Sequence, residues 1–279
     1  MQAMIFAAGL GTRLKPLTDS IPKAMVEVGG ETLLQRTIER LKACGVKSMV
    51  INVHHFAQAI VDYLQANNNF GVEIAVSDES QHLLDTGGGL KKAAQLFSPT
   101  ANILIHNVDI ISNVDLQAFY AHQAQSDALL LVSQRETKRY LLFNDDMRLV
   151  GWTNIETGEV RSPYPTLNPQ TCKKLAFAGI HSFSPKLFEE MEKYPAKFGI
   201  IDFYLDQCAQ NDIRGYEQQG LQLLDVGPDM LGAYVKDVEE DRDEPENNER
   251  ELDFIIQKIK EIHASKKCVQ NPDGTFRQI

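Results

Sequence analysis

The chain has 279 residues, 43% of them hydrophobic, which is enough for a sizeable core in one α/β domain with appendages or in two domains. Its formal net charge of -10 speaks against a general nucleic-acid coat, because that binding rests on surplus Lys and Arg. Four scattered cysteines without a C-x-x-C pair suggest neither a zinc site nor a disulfide framework, and no apolar stretch reaches the roughly 20 residues of a membrane span. With no basic segment and apolar h-region at its start, the sequence reads as a soluble, cytoplasmic protein with no nucleic-acid or membrane partner.

Met4 to Ala8 is an apolar run of strand length that passes directly into Gly9 and Gly11. Thr32 to Cys44 carries Leu33, Leu34, Ile38 and Leu41 at helical spacing, with Gly45 as a stop, and Ser48 to Val53 is again strand-like. Strand, turn, helix, strand is the unit that builds a parallel sheet by right-handed crossover. The alternation continues through a helix at Gln58 to Gln65, a strand at Val72 to Ser77 and a helix at Leu90 to Leu96. A strand at Ile103 to His106 and a helix at Leu116 to Gln125 follow. This pattern predicts an α/β fold with a doubly wound, mostly parallel (mixed) sheet, whose ligands bind beyond the carboxyl ends of the strands.

From Ala128 the texture changes. Ala128 to Val132, Tyr140 to Phe143, Leu149 to Thr153 and Ala176 to Phe183 read as strands divided by polar turns, which suggests a small antiparallel portion over one end of the sheet. Pro185 to Glu192 and Ile201 to Asn211 are expected helices, and Gln222 to Val226 a late short strand. The domain boundary is set at residues 235 and 236: 1–235 form the α/β domain and 236–279 an acidic linker, a short amphipathic helix and a polar tail. The apolar stripe Phe254, Ile255, Ile259 and Ile262 would pack on its own chain or pair two copies as a homodimer.

The glycine turn is neither a G-x-G-x-x-G fingerprint nor a P-loop, since no third glycine follows and Lys23 lies too far on. What it offers is backbone that can approach an anion closely, with Arg13 and Lys23 to add charge. Pro16 and Pro22 restrict the path of the loop, so that Lys23 returns toward its mouth. Asn107-Val108-Asp109 follows the Ile103 to His106 strand, where a carboxylate is well placed for magnesium.

The run AAGLGTRLKPLT, ending in IPKAM, resembles the signature loop of the sugar-1-phosphate nucleotidyltransferases, and the resemblance extends over roughly Met1 to Tyr234. It implies a Rossmann-like nucleotidyltransferase domain that uses an NTP, with UTP or GTP favoured, and a sugar 1-phosphate. The family's residues carry over where the motifs match. Ala8, Gly9, Gly11 and Thr12 would hold the triphosphate, Arg13 the departing pyrophosphate, and Lys23 the reacting phosphate. Asp109 and Asp225 would bind Mg²⁺, with Asn107 beside the nucleotide. Gly87 and Gly88 stand where the family has a loop against the nucleobase, and this TGGG form is similar to that of uridylyltransferases acting on N-acetylmuramate 1-phosphate and of some guanylyltransferases. Gly179, in a segment like the family's F-x-G-I, and Asp202 are the expected sugar contacts.

Two departures stand out: Val108 replaces a usual glycine, and the Glu-Lys-Pro motif whose lysine binds the sugar phosphate is absent, leaving Lys173, Lys174 or Lys23 for that role. The rival readings are a cytidylyltransferase for a small phosphorylated alcohol such as phosphocholine, a nucleotide-sugar-binding regulator, and an assembly protein working through its acidic tail.

Overall fold

The computed structural model describes residues 1–12, 17–28, 30–226, 268–270 and 276–278. In chain order, β1 (Gln2–Phe6), the small hairpin of β2 (Glu27–Val28) and β3 (Glu31–Thr32), α1 (Leu33–Ala43) and β4 (Ser48–Val53) come first. Then follow α2 (Ala57–Ala66), β5 (Glu73–Asp78), α3 (Asp85–Ala93), β6 (Ile103–Asn107), β7 (Ile110–Ser112) and α4 (Leu116–His122). The second half holds β8 (Ala128–Ser133), β9 (Arg139–Phe143), β10 (Leu149–Asn154), β11 (Val160–Arg161) and β12 (Lys173–Phe183). The remaining elements are α5 (Phe188–Met191), α6 (Ile200–Gln207), β13 (Ile213–Glu217), β14 (Leu223–Asp225), β15 (Cys268–Gln270) and β16 (Phe276–Gln278).

β1 lies at the centre of a mixed sheet, parallel to β4 on one side and to β6 on the other, and β5 continues parallel beyond β4. The chain therefore winds away from β1 in both directions, and a crevice opens at β1's carboxyl end, where the strand order reverses. β12 runs antiparallel to β6 and β8 through one half and to β9 through the other. Its pairing register shifts between Phe177 and His181, around Gly179 with φ of +72°. A bulge with a left-handed residue turns the strand there, and glycine takes that conformation without a Cβ penalty.

The period-2 alternation of a strand splits its side chains between two cores. Ala3 and Ile5 of β1 pack with Leu33, Leu34, Ile38 and Leu41 of α1 and with Phe119 of α4. Met4 and Phe6 pack on the opposite face with Leu90 of α3 and Phe203 of α6. Burying a side chain of this size stabilises by about 1.5–3 kcal/mol. α1 starts where Thr32 accepts the Gln35 backbone N–H at 3.0 Å and stops before Gly45, whose φ is +89°.

The expected α/β doubly wound sheet is present, with differences in detail. α3 begins at Asp85 and takes in all three glycines, whereas the sequence predicts a loop there and a helix only from Leu90. β13, parallel to β8, has no counterpart in the sequence reading, because Arg214 and Gly215 interrupt its apolar pattern. The short β7 also escapes the apolar pattern and pairs with β14. β15 and β16 form an antiparallel pair where a polar tail is expected. The acidic linker and the Phe254 to Ile262 stripe lie outside the described residues. No helix among the described residues is long and apolar enough to cross a membrane.

Candidate active site

A cavity of about 410 Å³ opens at the carboxyl ends of β1 and β6. Ala8 and Gly9 line it after β1, Asn107, Val108 and Asp109 after β6, and Lys23 reaches it from the returning loop. The loop closes on itself: Thr18 donates its hydroxyl to the Gly11 carbonyl at 2.8 Å. Gly11 has φ of +62°, and a Cβ on it would lie 2.8 Å from the Thr18 methyl and 3.3 Å from Lys23 Cβ. Glycine is thus needed at Gly11 to let Lys23 come back against the turn.

Lys23 is 8% exposed and its Nζ lies 2.5 Å from Asp109 Oδ2. It is the only cation among the described residues lining the cavity. Asp225 joins Asp109 through the backbone: it stands opposite Ile110 in the β7–β14 ladder, and the Val226 N–H donates to the Asp109 carbonyl at 2.9 Å. Asp109, in the turn before β7, and Asp225, at the end of β14, are thereby backbone neighbours although more than a hundred residues apart in sequence, and only Asp109 of the two lines the cavity. Val108, where a glycine is usual, is 4% exposed and packs into the core cluster with Ile110, while its N–H donates to the Phe6 carbonyl. Val108 thus belongs both to the core and to the cavity wall.

Thr12 is exposed beyond the turn, and Arg13 lies outside the described residues. Gly87 and Gly88 lie within α3 and not in the expected loop. Their N–H groups both donate to the Phe198 carbonyl, at 2.9 and 3.1 Å. A Cβ on Gly87 would come within 2.3 Å of the Phe198 ring, and one on Gly88 within 2.1 Å of the Ala196 carbonyl oxygen. Small residues are needed here because α3 packs on the 196–198 segment, and neither glycine is among the residues lining the cavity. Gly179 likewise backs the Asn107 side chain, 2.9 Å from a built Cβ, and does not line the cavity. Asp202 pairs with Arg161 at 2.8 Å, half-exposed, just past Gly199 at the cavity wall. Lys173 and Lys174 border a different hollow, with Tyr140 and Gln134, and are not brought to the site.

The sequence offers Glu79 and Gln81 as neighbours of the nucleobase without placing them; the structure sets Glu79 in a buried pair with Asn52 in the cavity wall. Glu79, 1% exposed, accepts from Asn52 Nδ2 at 2.7 Å and from the Leu84 N–H at 3.0 Å, while Asn52 Oδ1 accepts from the Ala7 N–H at 2.8 Å. One carboxylate thus ties the turn after β1 to the start of α3. A Cβ on Gly89 would lie 2.6 Å from Glu79 Oε1, which accounts for the third glycine. Asp85 and Thr86 complete the wall, Asp85 in a left-handed conformation with φ of +59°. A non-glycine residue held there is strained, a feature that clusters at ligand sites. The available signal was a polar residue, Asn52, inside an otherwise apolar strand.

A family model described as nucleotidyl transferase matches residues 2–194. The chain is 31% identical over 231 residues to N-acetylmuramate alpha-1-phosphate uridylyltransferase of Caulobacter vibrioides, covering 78% of this chain and 89% of that protein. It is 32% identical over 229 residues to the protein of the same name from Neisseria meningitidis, covering 81% and 93%. Among solved structures it is similar to HddC from Yersinia pseudotuberculosis complexed with GMP-PN, with a TM-score of 0.64, 24% identity, and 86% of this chain and 98% of that one covered. At that identity the structural likeness speaks for the fold.

Proposed function

The chain belongs to the nucleotidyl transferase family, and from that premise we propose that it transfers a nucleotidyl group from an NTP to a sugar 1-phosphate. The observation that carries the reading is the Lys23–Asp109 contact, set in the cavity beside the glycine turn. UTP is the favoured donor, with GTP next, because the two relatives that this chain covers over 89% and 93% of their length are uridylyltransferases by name.

In the proposed reaction a phosphate oxygen of the sugar 1-phosphate attacks the α-phosphorus of the NTP. The α–β bridging oxygen takes the bonding electrons and leaves as pyrophosphate. The attacking phosphate is already an anion at neutral pH, so no protein base is needed, and alignment and charge neutralisation supply the rate. The turn at Ala8 and Gly9 would receive the triphosphate, with Asn107 beside the nucleotide, and Lys23 would meet the charge that builds on the reacting phosphate. Arg13 is assigned to the leaving pyrophosphate from its place in the motif alone. With Lys173 and Lys174 elsewhere, Lys23 is the described cation left to steer the sugar phosphate as well.

The donor set of Asp109 and Asp225 fits Mg²⁺, a hard cation that takes carboxylate oxygens. When bound, it would neutralise phosphate charge and fix the phosphate geometry. A cytoplasmic location, where NTPs are supplied, is the one this reading favours. Pyrophosphate release from a panel of NTPs and sugar 1-phosphates, with and without Mg²⁺, tests the reading. Release with UTP that depends on Mg²⁺ is expected; tight nucleotide binding with no release from any pair would favour a regulator instead.

A further inference from the structure

A second cavity, of about 270 Å³, lies against α1 and shares no lining residue with the first. Arg36 and Arg40, one helical turn apart on α1, line it together with Thr37, His106 and Ile110. Arg40 donates through Nη1 to Ser112 Oγ at 3.0 Å and through Nη2 to the Val114 carbonyl at 2.8 Å, both neutral acceptors. No carboxylate among the described residues pairs with it, and burial pulls its pKa down to about 10. Arg36 is committed through Nη2, to the Val28 carbonyl at 2.8 Å and to Glu31 at 2.9 Å. The other acid on the wall, Glu39, is turned to Lys42 at 3.7 Å. The Nε–H groups of both arginines are buried without an acceptor. An unmet buried donor is costly, and a guanidinium without a counter-charge more so.

We propose that this cavity is a second oxyanion site, in which inorganic phosphate or the phosphate of a small phosphomonoester binds between Arg36 and Arg40. The anion supplies acceptors for both Nε–H groups and a counter-charge for Arg40. Its position bears on the catalytic turn. Ser112, which Arg40 holds, pairs with Leu223 in the same ladder that places Asp225 opposite Ile110, and Thr37 Oγ1 lies 3.5 Å from the Val108 carbonyl.

Calorimetric titration of inorganic phosphate, and separately of glycerol phosphate, into the full chain and into the Lys23→Met, Arg36→Met and Arg40→Met variants tests this. Phosphate binding is expected to persist in Lys23→Met and to weaken about tenfold or more in each arginine variant, as loss of a charged hydrogen bond implies. Glycerol phosphate binding with the same arginine dependence identifies a phosphomonoester site, and phosphate binding alone a site for the free ion. Absence of binding, or binding that Lys23→Met removes and the arginine variants leave untouched, overturns the proposal. If Arg40→Met loses its native circular dichroism, Arg40→Lys, which keeps the charge and loses the fork, replaces it.

Discussion

Lys23 and Asp109 depend on each other for stability before any substrate arrives. Their side chains are 9% and 20% exposed, so their attraction is weakly screened and each is costly to leave alone. Asp109→Asn strands a buried ammonium, and we expect a loss of about 3 kcal/mol in urea denaturation, the scale of breaking a buried pair. Adding Lys23→Met to that variant should recover part of the loss, because the unpaired charge is gone. Strict additivity of the two substitutions would show that the contact contributes nothing to the fold. In the proposed reaction the same ammonium turns from the carboxylate to phosphate.

At the scale of elements, two glycines make opposite predictions. Nothing lies within 4 Å of a Cβ built on Gly9, which faces the cavity, whereas one on Gly88 meets the Ala196 carbonyl oxygen at 2.1 Å. Gly9→Ala should therefore fold as the parent does and raise KM for the NTP. Gly88→Ala should destabilise by about 1–3 kcal/mol, the usual range for overpacking, because backbone must move. A Gly88→Ala protein as stable as the parent would mean that α3 does not pack on the 196–198 segment as described. The contrast also shows how far sequence reading reaches. The first glycine turn is legible because its whole logic, strand, turn, cation and proline, lies within Met4 to Met25. The second triplet is visible but its packing is not legible, since the groups that demand small residues there, at 196–198 and at Glu79, are distant in sequence.

Across the whole molecule, the parallel winding from β1 was legible because α1, α2 and their strands keep clean periodicities, and β1's place at the reversal of strand order puts the crevice at Gly9. The antiparallel half was legible as strands but not as a layout: β12 serves three neighbours by way of a bulge that no local pattern encodes. Near that strand's carboxyl end His181, fully buried, bonds through Nδ1 to the Tyr204 hydroxyl at 2.6 Å, and burial pulls its pKa from 6.5 to about 3. The unfolded chain binds this proton first. The stabilisation from a neutral His181 is therefore complete above pH 6.5 and is lost as pH falls toward 3, by about 1.4 kcal/mol per pH unit for this one group. Denaturant titrations between pH 7 and pH 4 should show that limb in the parent and not in His181→Asn; equal slopes would contradict it. The proposed site, a glycine turn beside the buried Lys23–Asp109 pair, is put to the test by pyrophosphate release from UTP and a panel of sugar 1-phosphates, comparing the parent with Lys23→Met in Mg²⁺. Mg²⁺-dependent release by the parent is expected, with a fall of about 100-fold or more in a folded Lys23→Met, the scale for removing one preorganised charge. Equal release by the two proteins would contradict it.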